Sequence, residues 1–126
     1  KTIIAIMVAC HLLKQGKKIL FLTPTKPLAV QQANRFKEMI NVLPEKVVAV
    51  TGEVKPEERE EQYKNALVIC GTPQTISHDV LSRKIGLEDF SLVVFDEAHR
   101  AVGDYAYVFL GKQAQKTNSL ILGLTA

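Results

Sequence analysis

Apolar residues along this chain fall into short runs, and each run stops at a threonine, a glycine or a carboxylate before a longer, more polar stretch begins. The runs sit in 17–25 (KKILFLTPT), 46–52 (KVVAVTG), 66–73 (ALVICGTP), 91–97 (SLVVFDE) and 119–126 (SLILGLTA). Short, continuously apolar segments closed by turn residues read as strands buried on both faces, as in a parallel sheet. Between them lie stretches with helical character. Residues 2–16 are apolar enough for a buried helix, with Gly16 as its stop. Residues 26–43 carry Pro27 in a first turn, and residues 55–65 carry Pro56 and early glutamates, both suited to a helix start. Residues 72–84 and 104–115 complete the set. Strand and helix alternate throughout, which predicts an α/β domain with a doubly wound parallel sheet and helices on both faces. The EEREEQ stretch at 57–62 reads as a solvated face.

The chain has 126 residues, suited to one domain, and 47% are hydrophobic, enough for a core. Charged residues make up 23%, which excludes a disordered tail. No apolar run reaches the roughly 20 residues that span a bilayer, so no membrane role is expected. Cys10 and Cys70 lie in apolar runs without a CxxC pair and read as reduced core residues. With no visible signal peptide, a cytoplasmic protein is the default. A net charge of +3 permits nucleic-acid binding without demanding it.

In an open parallel sheet, ligands collect at the carboxyl ends of the strands. The polar clusters TPT, TG, GTPQT, DEAHR and LTA all belong there. Asp96 and Glu97 follow a buried run directly. A turn at the strand end can aim both at one place, where one carboxylate holds Mg²⁺ and the other deprotonates a water. A solvated strand end followed by a helix cap is the ordinary alternative for a lone pair of acids. Thr25 and Thr72 stand at helix starts, where backbone N–H groups and hydroxyls grip phosphate without reading bases. Plain N-capping explains them equally well, and Lys26 suits phosphate or simple solvation. His11 and His78 read as ordinary surface or core histidines. Aromatic residues are sparse, so base stacking is not the expected contact.

DEAH at 96–99 resembles motif II of superfamily 2 helicases. Lys1-Thr2 resembles the end of a Walker A loop, 22–32 (LTPTKPLAVQQ) motif Ia, Thr51-Gly52 the next nucleic-acid-binding turn, 71–75 (GTPQT) motif Ib, and 124–126 (LTA) the start of motif III. The stretch 95–109 (FDEAHRAVGDYAYVF) is similar to the archaeal Hef and Fanconi anaemia M-type helicases. RNA-sensing and Dicer-type relatives usually carry cysteine where this chain has Ala98.

The resemblance covers essentially the whole chain and implies most of a first RecA-like, P-loop motor domain. It implies ATP and Mg²⁺ as cofactors, branched or fork DNA as partner, and a second RecA-like domain of the same parent chain. It places Lys1 on the β- and γ-phosphates, Thr2 and Asp96 on Mg²⁺, and Glu97 as the base for water. His99 and Thr125 would couple the nucleotide to movement. Pro24, Thr25, Lys26, Thr51, Gly52, Thr72, Pro73 and Gln74 would contact nucleic acid. An RNA helicase of the same superfamily, or a binding module without turnover, remains an alternative.

The chain departs from the pattern at both ends: no glycine-rich stretch precedes Lys1, and motif III stops at Ala126. The 126 residues are therefore expected to be an excerpt, inactive alone. The strand that leads into the phosphate loop is expected between LVVF (92–95) and LILGL (120–124). Without it the chain is expected to be poorly stable and to associate through strand edges.

Overall fold

The computed structural model describes residues 2–13, 15, 17–40, 44–101 and 104–125. Its elements follow the predicted alternation: α1 (Thr2–Leu13), β1 (Lys18–Leu22), α2 (Lys26–Met39), β2 (Val47–Val50), α3 (Pro56–Asn65), β3 (Val68–Gly71), α4 (Pro73–Leu81), β4 (Phe90–Phe95), α5 (Tyr105–Gln115) and β5 (Leu120–Gly123). The helix predicted to run to residue 43 stops at Met39, because Ile40 is already extended at φ −110°. Gly16, its counterpart after α1, lies outside the described residues. Among those described, no helix is long and apolar enough to cross a membrane.

All strand pairs are parallel, in the order β2-β3-β1-β4-β5. A parallel crossover is right-handed, so the direction of each step along the sheet decides which face its helix covers. From β1 to β2 the chain steps one way across the sheet; from β2 to β3, β3 to β4 and β4 to β5 it steps back. Accordingly α2 lies on one face with α1, where Ala5, Ile6, Ala9, Ala33 and Phe36 pack on Ile19, Phe21, Cys70 and Val94. On the other face, from α3, α4 and α5, Tyr63, Ile76, Tyr107 and Leu110 pack on Leu20, Leu22, Ile69 and Val93. Alternate residues of each strand thus feed two separate cores. The helices that leave the neighbouring strands β1 and β4 go to opposite faces. Their carboxyl ends, at Thr23 and Asp96, are therefore the switch point of the sheet, where ligands collect in folds of this kind.

One expectation is overturned. No strand separates the 92–95 and 120–124 runs: Leu92, Val93, Val94 and Phe95 pair directly with Leu120, Ile121, Leu122 and Gly123. Position in the sheet is set by which backbone groups meet, and β4 meets β5 itself. The open hydrogen-bonding edge is therefore on the far side of β5. There Leu120 is 53% and Ile121 41% exposed, so β5 is not flanked as β4 is. Ile3, Ile4 and Met7 add an outward apolar face on α1.

Candidate active site

Asp96 is held at four points at the end of β4. Its N–H donates to the Leu22 carbonyl at the end of β1 (2.8 Å). Its own carbonyl accepts from the Tyr107 hydroxyl at 2.6 Å. Thr23 Oγ1 donates to Oδ2 at 3.1 Å, and the Glu97 N–H donates to Oδ1 at 3.0 Å. Thr23 is fully buried. Tyr107 is fixed in turn: Asp104 Oδ1 accepts from Ala106 N and Tyr107 N, capping α5. Its ring meets Phe95 edge-to-face, with centroids 5.8 Å apart.

Glu97 has φ +52°, in the left-handed region that non-glycine residues rarely occupy. This turn breaks the alternation of the strand, as the acid pair requires. The turn is locked to the continuation of β5, since Ala98 N donates to Leu124 O (2.7 Å) and Leu124 N to Phe95 O (2.9 Å). Ala98 is a tight neighbour of Gly123, at which an added Cβ would lie 3.4 Å from that of Ala98.

Burial raises the Asp96 carboxyl above its ordinary range; the bonds from Thr23 and the Glu97 backbone oppose the shift, and the Glu97 charge adds to it. A carboxylate strained in this way is well matched to a cation. Among the described residues no cluster of three or more His, Cys, Asp or Glu could hold a metal by itself. Mg²⁺ takes one or two protein carboxylates and completes its shell with water and substrate phosphate, so a single fixed carboxylate can serve it. The donor set fits the ion in that limited sense, and Asp96 is the carboxylate that would hold it.

The remaining predicted residues fall as follows. Lys1 lies outside the described residues, and of Thr2 only the backbone, at the start of α1, is described. Four residues join α1 to β1, so the helix runs back along the strand. Its start lies at the same end as Asp96, and Ala5 and Ile6 share a cluster with Leu124. His99 and Thr125 are exposed beside the Glu97 turn.

A second group gathers at the ends of β1, β2 and β3. Thr25 caps α2, its Oγ1 accepting from Leu28 N at 3.4 Å, and is exposed with Lys26. Lys26 Nζ meets Glu53 at 3.4 Å in a pair open to solvent, worth little to stability. Thr51 is buried and its Oγ1 accepts from Glu53 N, while Gly52 is exposed. Thr72 is also buried but makes no side-chain cap; its Oγ1 donates to Thr75 Oγ1 at 3.1 Å. Pro73 is buried and Gln74 exposed. The hydroxyls of Thr51 and Thr72 are thus engaged inside the protein. The groups left for a phosphate are the exposed Thr25, Lys26, Gly52 and Gln74 and the first N–H groups of α4. An added Cβ on Gly52 would lie 3.7 Å from Thr75 Oγ1, so the second and third turns are adjacent.

The sequence matches the DEAD/DEAH box helicase family over residues 1–126. The chain belongs to that family. Among solved structures, the Pyrococcus furiosus Hef helicase domain superposes with a TM-score of 0.95 at 53% identity, covering 100% of this chain and 27% of that one. The doubly wound parallel sheet is therefore the RecA-like fold of these helicases. A Methanocaldococcus jannaschii protein, whose name assigns it to the ATP-dependent RNA helicases, is 42% identical over 100% of this chain. The ATP-dependent DNA helicase mph1 of Aspergillus fumigatus is 37% identical, also over 100%. The chain spans 16% of the first and 12% of the second.

Two residues that hold Asp96 escaped the sequence reading: Thr23 and Tyr107. Thr23 carried a signal, a polar residue continuing an apolar run. For Tyr107 the signal was Asp104 as the cap before an aromatic pair.

Proposed function

We propose that the chain is the nucleotide-hydrolysing part of a first RecA-like motor domain, which works with a second such domain of the same protein to move along DNA at branched or forked structures. The observation that carries this reading is the four-point anchoring of Asp96 beside a left-handed Glu97. A carboxylate so fixed loses little freedom on binding, and preorganisation of this kind is what phosphoryl transfer requires.

When bound, Mg²⁺ would neutralise charge on the transferred phosphate. Asp96 would hold it, and Glu97 would take the proton of the attacking water. Thr2, at the start of α1, and Lys1, which precedes it in sequence, would contact the phosphates. His99 and Thr125, exposed around the same turn, would meet the second domain. The exposed Thr25, Lys26, Gly52 and Gln74 would follow the phosphate backbone of the nucleic acid. Contacts of that kind fix position and carry no sequence information.

The relatives' names divide between DNA and RNA. Resemblance of the 95–109 stretch to Hef-type helicases supports DNA, and the archaeal relative's name supports an RNA helicase as the second reading. Stimulation of ATP hydrolysis in the full-length protein, with branched DNA and duplex RNA in competition, separates them. Stimulation by duplex RNA alone would overturn the DNA reading.

A further inference from the structure

The α3 helix looks like a solvated acidic surface, yet it turns a cation inward. Arg59, 5% exposed, spends its guanidinium on two different elements. Nε and Nη2 donate to Oδ2 and Oδ1 of the fully buried Asp79 on α4, at 2.7 and 2.8 Å. Nη1 donates at 2.7 Å to the carbonyl of Val54, in the loop that follows Gly52. The Tyr63 hydroxyl, also from α3, donates to the same Asp79 oxygen as Nε.

Such a pair is costly to desolvate, and apolar side chains of similar volume often hold two helices together as well or better. What apolar residues lack is direction. A bidentate guanidinium–carboxylate pair fixes distance and angle together. The bonds here close a circuit. Val54 lies two residues beyond Gly52, and Asp79 one helical turn beyond Thr75. The Gly52 backbone and Thr75 Oγ1 are themselves adjacent. The Thr51–Gly52 turn and the start of α4 are thereby held in one relative position through Arg59.

We infer that the Arg59–Asp79 pair is a positioning device for nucleic-acid binding: it sets the Gly52 turn against the α4 start, so that donors on both meet successive phosphates of one strand. This rests on the nucleic-acid reading above. Neither Arg59 nor Asp79 touches the phosphate. Both act through the two turns.

The test compares full-length wild type with the Arg59→Met/Asp79→Leu double variant and with Arg59→Lys. It measures ATP affinity without DNA, the melting temperature, and the single-stranded DNA concentration that half-saturates ATPase stimulation. The double variant is expected to melt and bind ATP like wild type while half-saturation rises about tenfold, the equivalent of roughly 1.4 kcal/mol. Arg59→Lys keeps the charge facing Asp79 but gives up the bidentate fork and the bond to Val54, so a smaller rise of about threefold is expected. A folded double variant with unchanged half-saturation overturns the inference. So does a rise matched by an equal loss of ATP affinity, which would mark general loosening. If the double variant does not fold, unchanged half-saturation in Arg59→Lys overturns it instead. A wild-type ATPase that answers to neither DNA nor RNA would remove the underlying reading and not this geometry alone.

Discussion

Thr23 Oγ1 donates to Asp96 Oδ2 at 3.1 Å, joining the ends of two adjacent strands across 73 residues of sequence. A hydrogen bond to a charged acceptor contributes about 1.5–3 kcal/mol. Thr23→Val keeps the shape and removes the donor. ATPase turnover in the full-length protein is expected to fall about tenfold or more, with a higher Mg²⁺ concentration needed for half-maximal rate. A Mg²⁺ dependence identical to wild type would show that Thr23 does not set the direction of the carboxylate.

Glu97→Gln removes the base and leaves the phosphate contacts in place. Hydrolysis should drop by about a hundredfold or more, with nucleotide binding retained. Because Glu97 sits at φ +52°, Glu97→Gly is the informative companion: it relieves the backbone and still removes the base, so it should be as inactive. Activity in either variant near wild type would take Glu97 out of the catalytic role.

Contacts through Thr25, Lys26, Gly52 and Gln74 to phosphate predict binding that weakens linearly with log salt and shows little base preference. Titrations of oligonucleotides of different sequence over a range of salt would measure both. A strong preference among them, lost on changing Gln74, would mean that base edges are read.

The uncovered edge of β5 is expected to drive self-association when the 126-residue chain is expressed alone. Unpaired strand edges with apolar side chains template further pairing. Light scattering should find oligomers at micromolar concentration, and Ile121→Lys should shift them toward monomer. A monomeric wild-type chain, folded and unchanged by the lysine, would refute this.

Asp79 predicts an acid sensitivity. Burial pushes its carboxyl up, but the bonds from Arg59 and Tyr63, the Arg59 charge and a smaller effect of His78 outweigh it, so the group is held below its ordinary value of 3.8. A carboxyl depressed by folding contributes fully above its unfolded value and loses that contribution as pH falls through the folded one. In the Ile121→Lys background, urea midpoints should fall below about pH 4, and by less when Asp79→Asn is added. Equal slopes would show that Asp79 is not depressed.

Among the described residues, all five strands and five α-helices were legible because each apolar run gives way to a polar residue or a turn, such as Thr51 after Val50 or Asp96 after Phe95. The acid pair and the threonine-bearing turns were legible for the same reason: they occupy those ends. The pairing of β4 with β5 was not, since neighbour order depends on contacts between distant segments, and apolar runs suit either arrangement. Arg59 was read as part of a solvated face because its partner is 20 residues away. Nothing in EEREEQ marks which charge turns inward. Burial likewise decided the hydroxyls of Thr51 and Thr72, which composition would have left open to a ligand.

The anchors of Asp96 (Thr23, Leu22, Glu97 and Tyr107) and the circuit through Arg59 (Val54, Tyr63 and Asp79) have no residue in common. They are separate sets of hydrogen bonds, and what they share is packing, since Tyr107 and Tyr63 lie in one apolar cluster. Drift in one need not be answered in the other. On the proposed reading, a lineage could exchange the turns around Gly52 and Thr72 to follow a different nucleic acid while inheriting the Asp96 corner unchanged, as a tool keeps its engine when its bit is replaced.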